Sequence, residues 1–234
     1  MLELWAETVC STRRVYTSLN ERSKRTMLRN AGLRPASMPK VANGSERRIE
    51  ILKSAAAAFR RRGYHGASVD EIASALEMTK GNLYYYFRNK EEILFACHDY
   101  SLDVLLALME EVQSDASLPD DKLRKLILAF IHMMLDELQG TALTLDLHAL
   151  SPPLLRRIVA KRDRFDHGMR AIIQQGIDQG LFRPGDPKMI GFAMMGAVNW
   201  ITKWFDPAGP MSSEQIAQRF ADYLVGGLVR EAKN

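Results

Sequence analysis

The sequence predicts an all-α protein: a three-helix head followed by a larger helical body, about nine helices and no sheet. Three observations carry this. From Ser45 onward apolar residues recur at steps of three and four, and no run alternates convincingly with period two. Most periodic runs open after a capping Ser, Thr or Asn, or at a Pro, and several close at a Gly. Two short periodic segments, Ser68–Leu76 and Thr79–Phe87, are joined by a tight turn.

The first element runs from Ser45 as N-cap through Ile49, Leu52, Ala56 and Phe59, and stops at Arg60-Arg61-Arg62-Gly63. Cations suit a helix C-terminus, and glycine accepts the left-handed backbone that ends it. Ser68-Val69-Asp70-Glu71 reads as a capping box, with Glu71 reaching back to Ser68, ahead of Ile72, Ala73 and Leu76. Thr79 caps a short helix that buries Leu83 and Phe87, and Asn89 or Lys90 opens a longer one reaching about Val112. Pro119 starts a helix through Leu126 and Met134; after Gly140 a shorter one covers about 141–150. Pro152-Pro153 opens a long helix to Gly180, Pro187 the apolar helix to Phe205, and Ser212 or Ser213 caps the last, to about Val229.

Charge divides the chain. Residues 1–44 hold eight Lys/Arg against three Asp/Glu, residues 45–91 nine against six, and residues 92–234 fifteen against nineteen. A basic N-terminal side on an acidic body suits a polyanion-binding head. Cys10 and Cys97 have neither metal-ligand spacing nor a disulfide framework, which fits a reducing cytoplasm. The opening residues carry Glu3 and Glu7 instead of a secretory pattern. The longest apolar stretch, Met189–Ile201, has thirteen residues, too short to span a bilayer, so no membrane partner is expected. Residues 1–44 read as a basic, flexible extension: a dispensable tail, a start placed upstream of Met38, or a DNA-contacting arm. Residues 45–91 read as a helix-turn-helix DNA-binding domain, and 92–234 as a ligand-binding and dimerisation domain.

The second helix of the pair is the candidate for the major groove. Its exposed face carries Thr79, Lys80, Gly81, Asn82, Tyr84, Tyr85 and Tyr86. Three consecutive tyrosines point in three directions on a helix, so they cannot all be core. Thr79 and the Ser68 end of the preceding helix offer hydrogen bonds to phosphate, and Lys80 and Lys90 supply charge at either end. Gly81 lets the backbone approach a base edge, and Tyr84 and Tyr85 offer rings for a thymine methyl. The stretch Val69–Leu94, with Phe59 and Gly63-Tyr64 before it, closely resembles the TetR family of bacterial regulators. By that resemblance Thr79, Lys80, Gly81, Asn82, Tyr84, Tyr85, Tyr86 and Lys90 occupy DNA-contact positions. Two departures stand out: Glu77 where the family often has glycine, and Tyr86 where it often has histidine.

The resemblance implies a homodimer on double-stranded operator DNA, a repressor released by a small-molecule effector, and no cofactor. The last two long helices are the expected dimer interface, with Gly191, Ala193, Gly196 and Ala197 permitting close approach. Trp200 and Trp204, four apart, together with Pro207–Pro210 and Gly176–Phe182, resemble the subgroup that senses fatty acyl-CoA or sterol-derived CoA thioesters. By that weaker likeness Arg162, Arg164, Lys203, Trp200 and Trp204 are candidate ligand contacts. For the tryptophans, core or dimer packing is an equal alternative. An enzyme is disfavoured: His132/Asp136 and Asp163/His167 are two-group pairs without a third ligand in register, and no catalytic or nucleotide motif is present. A helical scaffold that does not bind DNA is the remaining alternative.

Overall fold

A computed structural model describes residues 43–135 and 147–230. Those residues form eight α-helices: α1 (Asn43–Gly66), α2 (Val69–Ser74), α3 (Lys80–Tyr86), α4 (Lys90–Ser114), α5 (Pro119–Leu135), α6 (Pro152–Asp178), α7 (Pro187–Trp204) and α8 (Ser213–Gly226). A single 3-10 turn, Leu147–Ala149, is the described part of the short helix expected over 141–150. The expected extension falls outside the described residues apart from Asn43 and Gly44, where α1 already begins. Ser45 therefore sits within the first turn of α1, not ahead of it as expected.

Gly63 (φ 70°, ψ 167°) interrupts α1 in a conformation open essentially to glycine alone, where the sequence places the stop. The α2 cap is half of the expected box. Ser68 Oγ accepts from Glu71 N–H at 3.0 Å, but the Glu71 carboxylate does not reach back. It is taken by Arg61 at 2.5 Å and Arg62 at 3.6 Å, because the end of α1 brings two guanidiniums beside it. Thr79, Asn89 and Ser212 each accept from the backbone N–H three residues on, and Ser212 forms a full box with Gln215.

The α2–α3 turn is a Schellman closure. Met78 N–H donates to Ala73 O at 3.0 Å and Glu77 N–H to Ser74 O at 3.1 Å, with Glu77 left-handed at φ 54°. The helix α6 ends in the same way on Gly180 (φ 71°), with Leu181 and Phe182 both donating to Gly176 O at 2.9 Å. A Cβ on Gly176 would lie 2.2 Å from the Phe182 ring, which is buried. Gly176–Phe182, a segment that carried the acyl-CoA likeness, thus has a structural role: a helix end locked under an aromatic ring. Phe182 bridges to Val229, with Arg183 N–H donating to Leu228 O at 2.8 Å.

From Arg47 onward the described residues form one compact unit. Its core is continuous from Ile51, Phe59, Ile72, Leu83 and Phe87 in the head to Leu105, Leu126, Ile173 and Ala217 in the body. The first half of α4 belongs to both, since Ile93, Leu94 and Cys97 are fully buried beneath the head. Helix α4 packs mainly on α6, and α5 mainly on α8. No helix among the described residues is long and apolar enough to cross a membrane.

Candidate nucleic-acid interface and its coupling to the body

Leu83 and Phe87 anchor α3 in the core, which turns Lys80, Gly81, Asn82, Tyr84 and Tyr85 outward. Tyr85 is 85 % exposed, far more than Tyr84 at 42 %, and its ring is held edge-on to Tyr86 at 5.3 Å. An aromatic this exposed on a helix capped at Thr79 is what an apolar contact to a base edge requires. Ser68 and Thr79 are both exposed and each already caps its own helix. Lys80 Nζ donates to Asp70 at 2.8 Å, and this bond, with the carboxylate charge, holds its ammonium above the usual lysine range.

Two of the expected contacts also hold the fold together. Lys90 donates to Ala67 O at 3.0 Å and His65 O at 3.4 Å, and sits 4.6 Å above the Tyr64 ring. It therefore clamps the start of α4 to the α1–α2 loop. Tyr86 is half-buried and its carbonyl accepts from Arg48, whose guanidinium lies 4.2 Å over Phe87. Arg47 donates to Leu76 O at 3.0 Å in the turn. These two arginines fix the reading helix from α1, and sequence reading missed them. Their partners lie 29 and 38 residues along, where no spacing rule reaches.

Helices α4 and α6 run in the same direction along a polar seam. Glu91 accepts from Ser151 N–H at 2.7 Å, which caps α6 where Ser151 itself makes no side-chain cap. That bond holds the Glu91 carboxyl below its usual range. Arg157 lies 4.5 Å over Phe95, Lys161 bridges Asp99 and Asp103 at 2.6 Å each, and Arg164 approaches Glu110 at 3.5 Å. Burial works against the Lys161 charge, but the two aspartates outweigh it and its pKa is raised. The clamp residue Lys90 and the cap residue Glu91 are adjacent, so the root of the reading head is tied directly to the body.

The five expected ligand contacts are not gathered in one place. Arg164 is exposed on α6, at an open groove of about 440 Å³ shared with Met109, Glu110 and His167. Arg162, two residues away, is half-buried on the side toward α4. Trp200 (65 % exposed), Lys203 and Trp204 lie on the outward face of α7, with Trp204 stacked on Phe220 of α8. Of the expected interface residues, Ala193 and Gly196 face outward and Ala197 is half-buried. Gly191 faces inward, its Cβ position 3.2 Å from Met169. The outward face of α7 also carries Met189 and Phe192, both more than half exposed.

The two-group pairs weighed for catalysis are spent locally or fall partly outside the described residues. His167 Nδ1 rests 2.5 Å from the Asp163 carbonyl, not its carboxylate. His132 is described but Asp136 is not. Among the described residues no three His, Cys, Asp or Glu side chains gather as a metal site.

A helix-turn-helix with an exposed aromatic reading face, rooted in a helical body, defines a one-component DNA-binding regulator. Comparison with known proteins agrees. The description "Bacterial regulatory proteins, tetR family" matches residues 51–97, and "Tetracyclin repressor-like, C-terminal domain" matches residues 116–228. The chain is 26% identical over 198 residues to the HTH-type transcriptional repressor KstR2 of Mycobacterium tuberculosis, covering 80% of this chain and 95% of that one. The structure of the TetR family transcriptional regulator PfmR from Thermus thermophilus aligns with TM-score 0.69 and 34% identity, over 77% of this chain and 99% of PfmR. AibR, solved in complex with isovaleryl coenzyme A and operator DNA, aligns with TM-score 0.67 and 33% identity, over 78% of this chain and 98% of AibR. The chain belongs to the TetR family of transcriptional regulators.

Proposed function

We propose that the protein is a cytoplasmic, homodimeric repressor that reads operator DNA through α3 and is released by an acyl-CoA thioester. The exposure of Tyr85 on a helix otherwise locked from three sides carries the DNA-reading assignment to individual residues. The names of the relatives support repression, and AibR with its isovaleryl coenzyme A supports the effector class. In this reading Tyr84, Tyr85, Asn82 and Gly81 address the bases, and Ser68, Thr79 and Lys80 address phosphates. Lys90 and Tyr86 hold the head in place.

Dimerisation sets two such heads on successive major-groove faces. The outward α7 face, with Met189, Phe192, Ala193, Gly196 and Trp200, is the surface assigned to it, and Tyr223 of α8 is exposed as well. Effector binding shifts α4 against α6 and alters head spacing, which requires the ligand to favour one arrangement energetically.

Fluorescence anisotropy with DNA from immediately upstream of the gene tests the core of this reading. Salt-sensitive binding at nanomolar protein, lost in Tyr85→Ala without loss of helix content, is the expected result. Failure there and in random operator selection as well would overturn it.

A further inference from the structure

The two acids of α2 are paired in opposite directions. Glu71 turns back to Arg61 and Arg62 of α1. Asp70 reaches forward to Lys80, the first residue of the reading helix, at 2.8 Å. An acid in the first turn of a helix is common, because it suits the helix dipole. Its place on this head is less so. Asp70 is 61 % exposed and Lys80 49 %, next to the exposed Gly81 and Asn82 of α3. A carboxylate on a surface that meets a polyanion opposes binding unless the DNA offers it a donor. In the major groove those donors are base amino groups, cytosine N4 and adenine N6.

The ion pair is the complement of a base-pair edge. In a G·C pair guanine O6 accepts from cytosine N4, so an acceptor and a donor stand about 2.9 Å apart in the groove. Lys80 and Asp70 present a donor and an acceptor 2.8 Å apart. An ammonium that gives one N–H to Asp70 keeps two more, and a carboxylate has lone pairs to spare. The flanks of the edge match as well. A lysine on guanine meets N7 beside O6, and both accept. On an A·T pair the carboxylate would meet adenine N6 beside the N7 acceptor, which repels it, and the ammonium would meet thymine O4 beside the methyl. Gly81, next to Lys80, adds no side chain that would hold the pair away from the bases.

We propose that Asp70 and Lys80 act as one reading unit that selects a G·C base pair in each half of the operator, with Lys80 on guanine and Asp70 on cytosine. This rests on the reading of DNA through α3 and adds a base edge to the phosphate contact given there to Lys80, whose third N–H remains for it. Asp70 escapes a reading of the sequence, where it passes as an ordinary acid of a helix's first turn. Its partner stands ten residues on, across the turn. The pair is already assembled in the free head, so neither side chain has to be ordered by the DNA.

Operator selection from random duplex DNA tests this, using the full chain as wild type, Asp70→Ala, Lys80→Ala and the double variant, each checked for unchanged helix content. Wild type should select a G·C pair at one position of each half-site, and both single variants should lose that preference while the other positions stay fixed. Anisotropy on the selected duplex gives the magnitude. Exchanging that pair for A·T should weaken wild type roughly fivefold or more, and each variant less than about twofold. The double variant should lose no more at that position than either single one, because the two side chains act together. An ion pair that only joins α2 to α3 would not move the preference for a single base pair. Preferences unchanged in both variants, a position lost in only one of them, or a lost position that is A·T overturns the reading unit and leaves the α3 assignment standing. So does an affinity that shifts equally on every sequence. If wild type selects no sequence at all, the α3 assignment falls, and the reading unit with it.

Discussion

Replacing Glu77 by glycine should stabilise the protein although it removes a side chain and adds none. Glu77 is the left-handed residue of the Schellman turn, at φ 54°, and its side chain is exposed. A left-handed backbone costs a residue with a Cβ roughly 1–2 kcal/mol. Glycine removes that cost but loses about 0.5–1 kcal/mol more chain entropy on folding. The difference is a gain of about 0.5–1 kcal/mol, or roughly 1–4 °C in melting temperature for a chain of this size. Glu77→Ala is the control, because it deletes the carboxylate but keeps the Cβ, and it should melt within about half a kcal/mol of wild type. Urea denaturation at one fixed protein concentration gives both numbers, since the stability of a dimer depends on concentration. If Glu77→Gly is no more stable than Glu77→Ala, the strain assigned to this turn is absent and the reasoning fails.

Gly176→Ala should destabilise by about 1–3 kcal/mol in the same assay, because its Cβ would stand 2.2 Å from the buried Phe182 ring. Stability should also fall on acidification. The folded pKa of His98 is depressed to about 3 by burial and by Arg162 facing it, while the unfolded chain takes up the proton near the ordinary value of 6.5. The contribution is complete above pH 6.5 and is lost as pH falls toward 3, at up to about 1.4 kcal/mol per unit. Melts of wild type and His98→Leu between about pH 7 and 5 should therefore diverge, with the variant the flatter. Gly196→Leu should turn the dimer into monomer by sedimentation, yet keep its helix content, because nothing in the subunit lies within 4 Å of the added Cβ.

What the sequence made legible was local. Caps at Ser68, Thr79, Asn89 and Ser212, the stop at Gly63 and the proline starts of α5, α6 and α7 are all fixed by neighbours within four residues. The departure at Glu77 was legible too, as a turn that wants glycine. What escaped was the choice among distant partners. Glu71 had an acceptable local role in a capping box and took Arg61 instead, ten residues back. Lys90 reads as a phosphate contact by its place at the end of the reading helix, and what escaped is that it also holds two carbonyls 23 and 25 residues earlier. The faces of α7 were illegible for a different reason. The helix is apolar nearly all round, so periodicity could not separate inward Gly191 from outward Gly196.

The arrangement of α4 bears on how a body can govern a head. A helix buried at one end beneath the head and at the other against α6 carries any tilt in the body to the head. Beside their shared apolar core, the two helices meet along a line of polar contacts: Glu91 on the Ser151 amide, Arg157 over Phe95, Lys161 on two aspartates, and Arg164 near Glu110. The exposed ion pairs among them, Lys161 with Asp103 and Arg164 with Glu110, are each worth little, about 0–1 kcal/mol. That polar line fixes the direction of α4 along α6, and its exposed members can be exchanged at small cost. The interlock of Met109 with Gly168, where a Cβ would come within 2.7 Å of the sulfur, is the steric stop at the far end. In the effector response proposed above, movement is then easiest as a tilt about that stop. The largest displacement then falls at Lys90 and Glu91, where the head is attached.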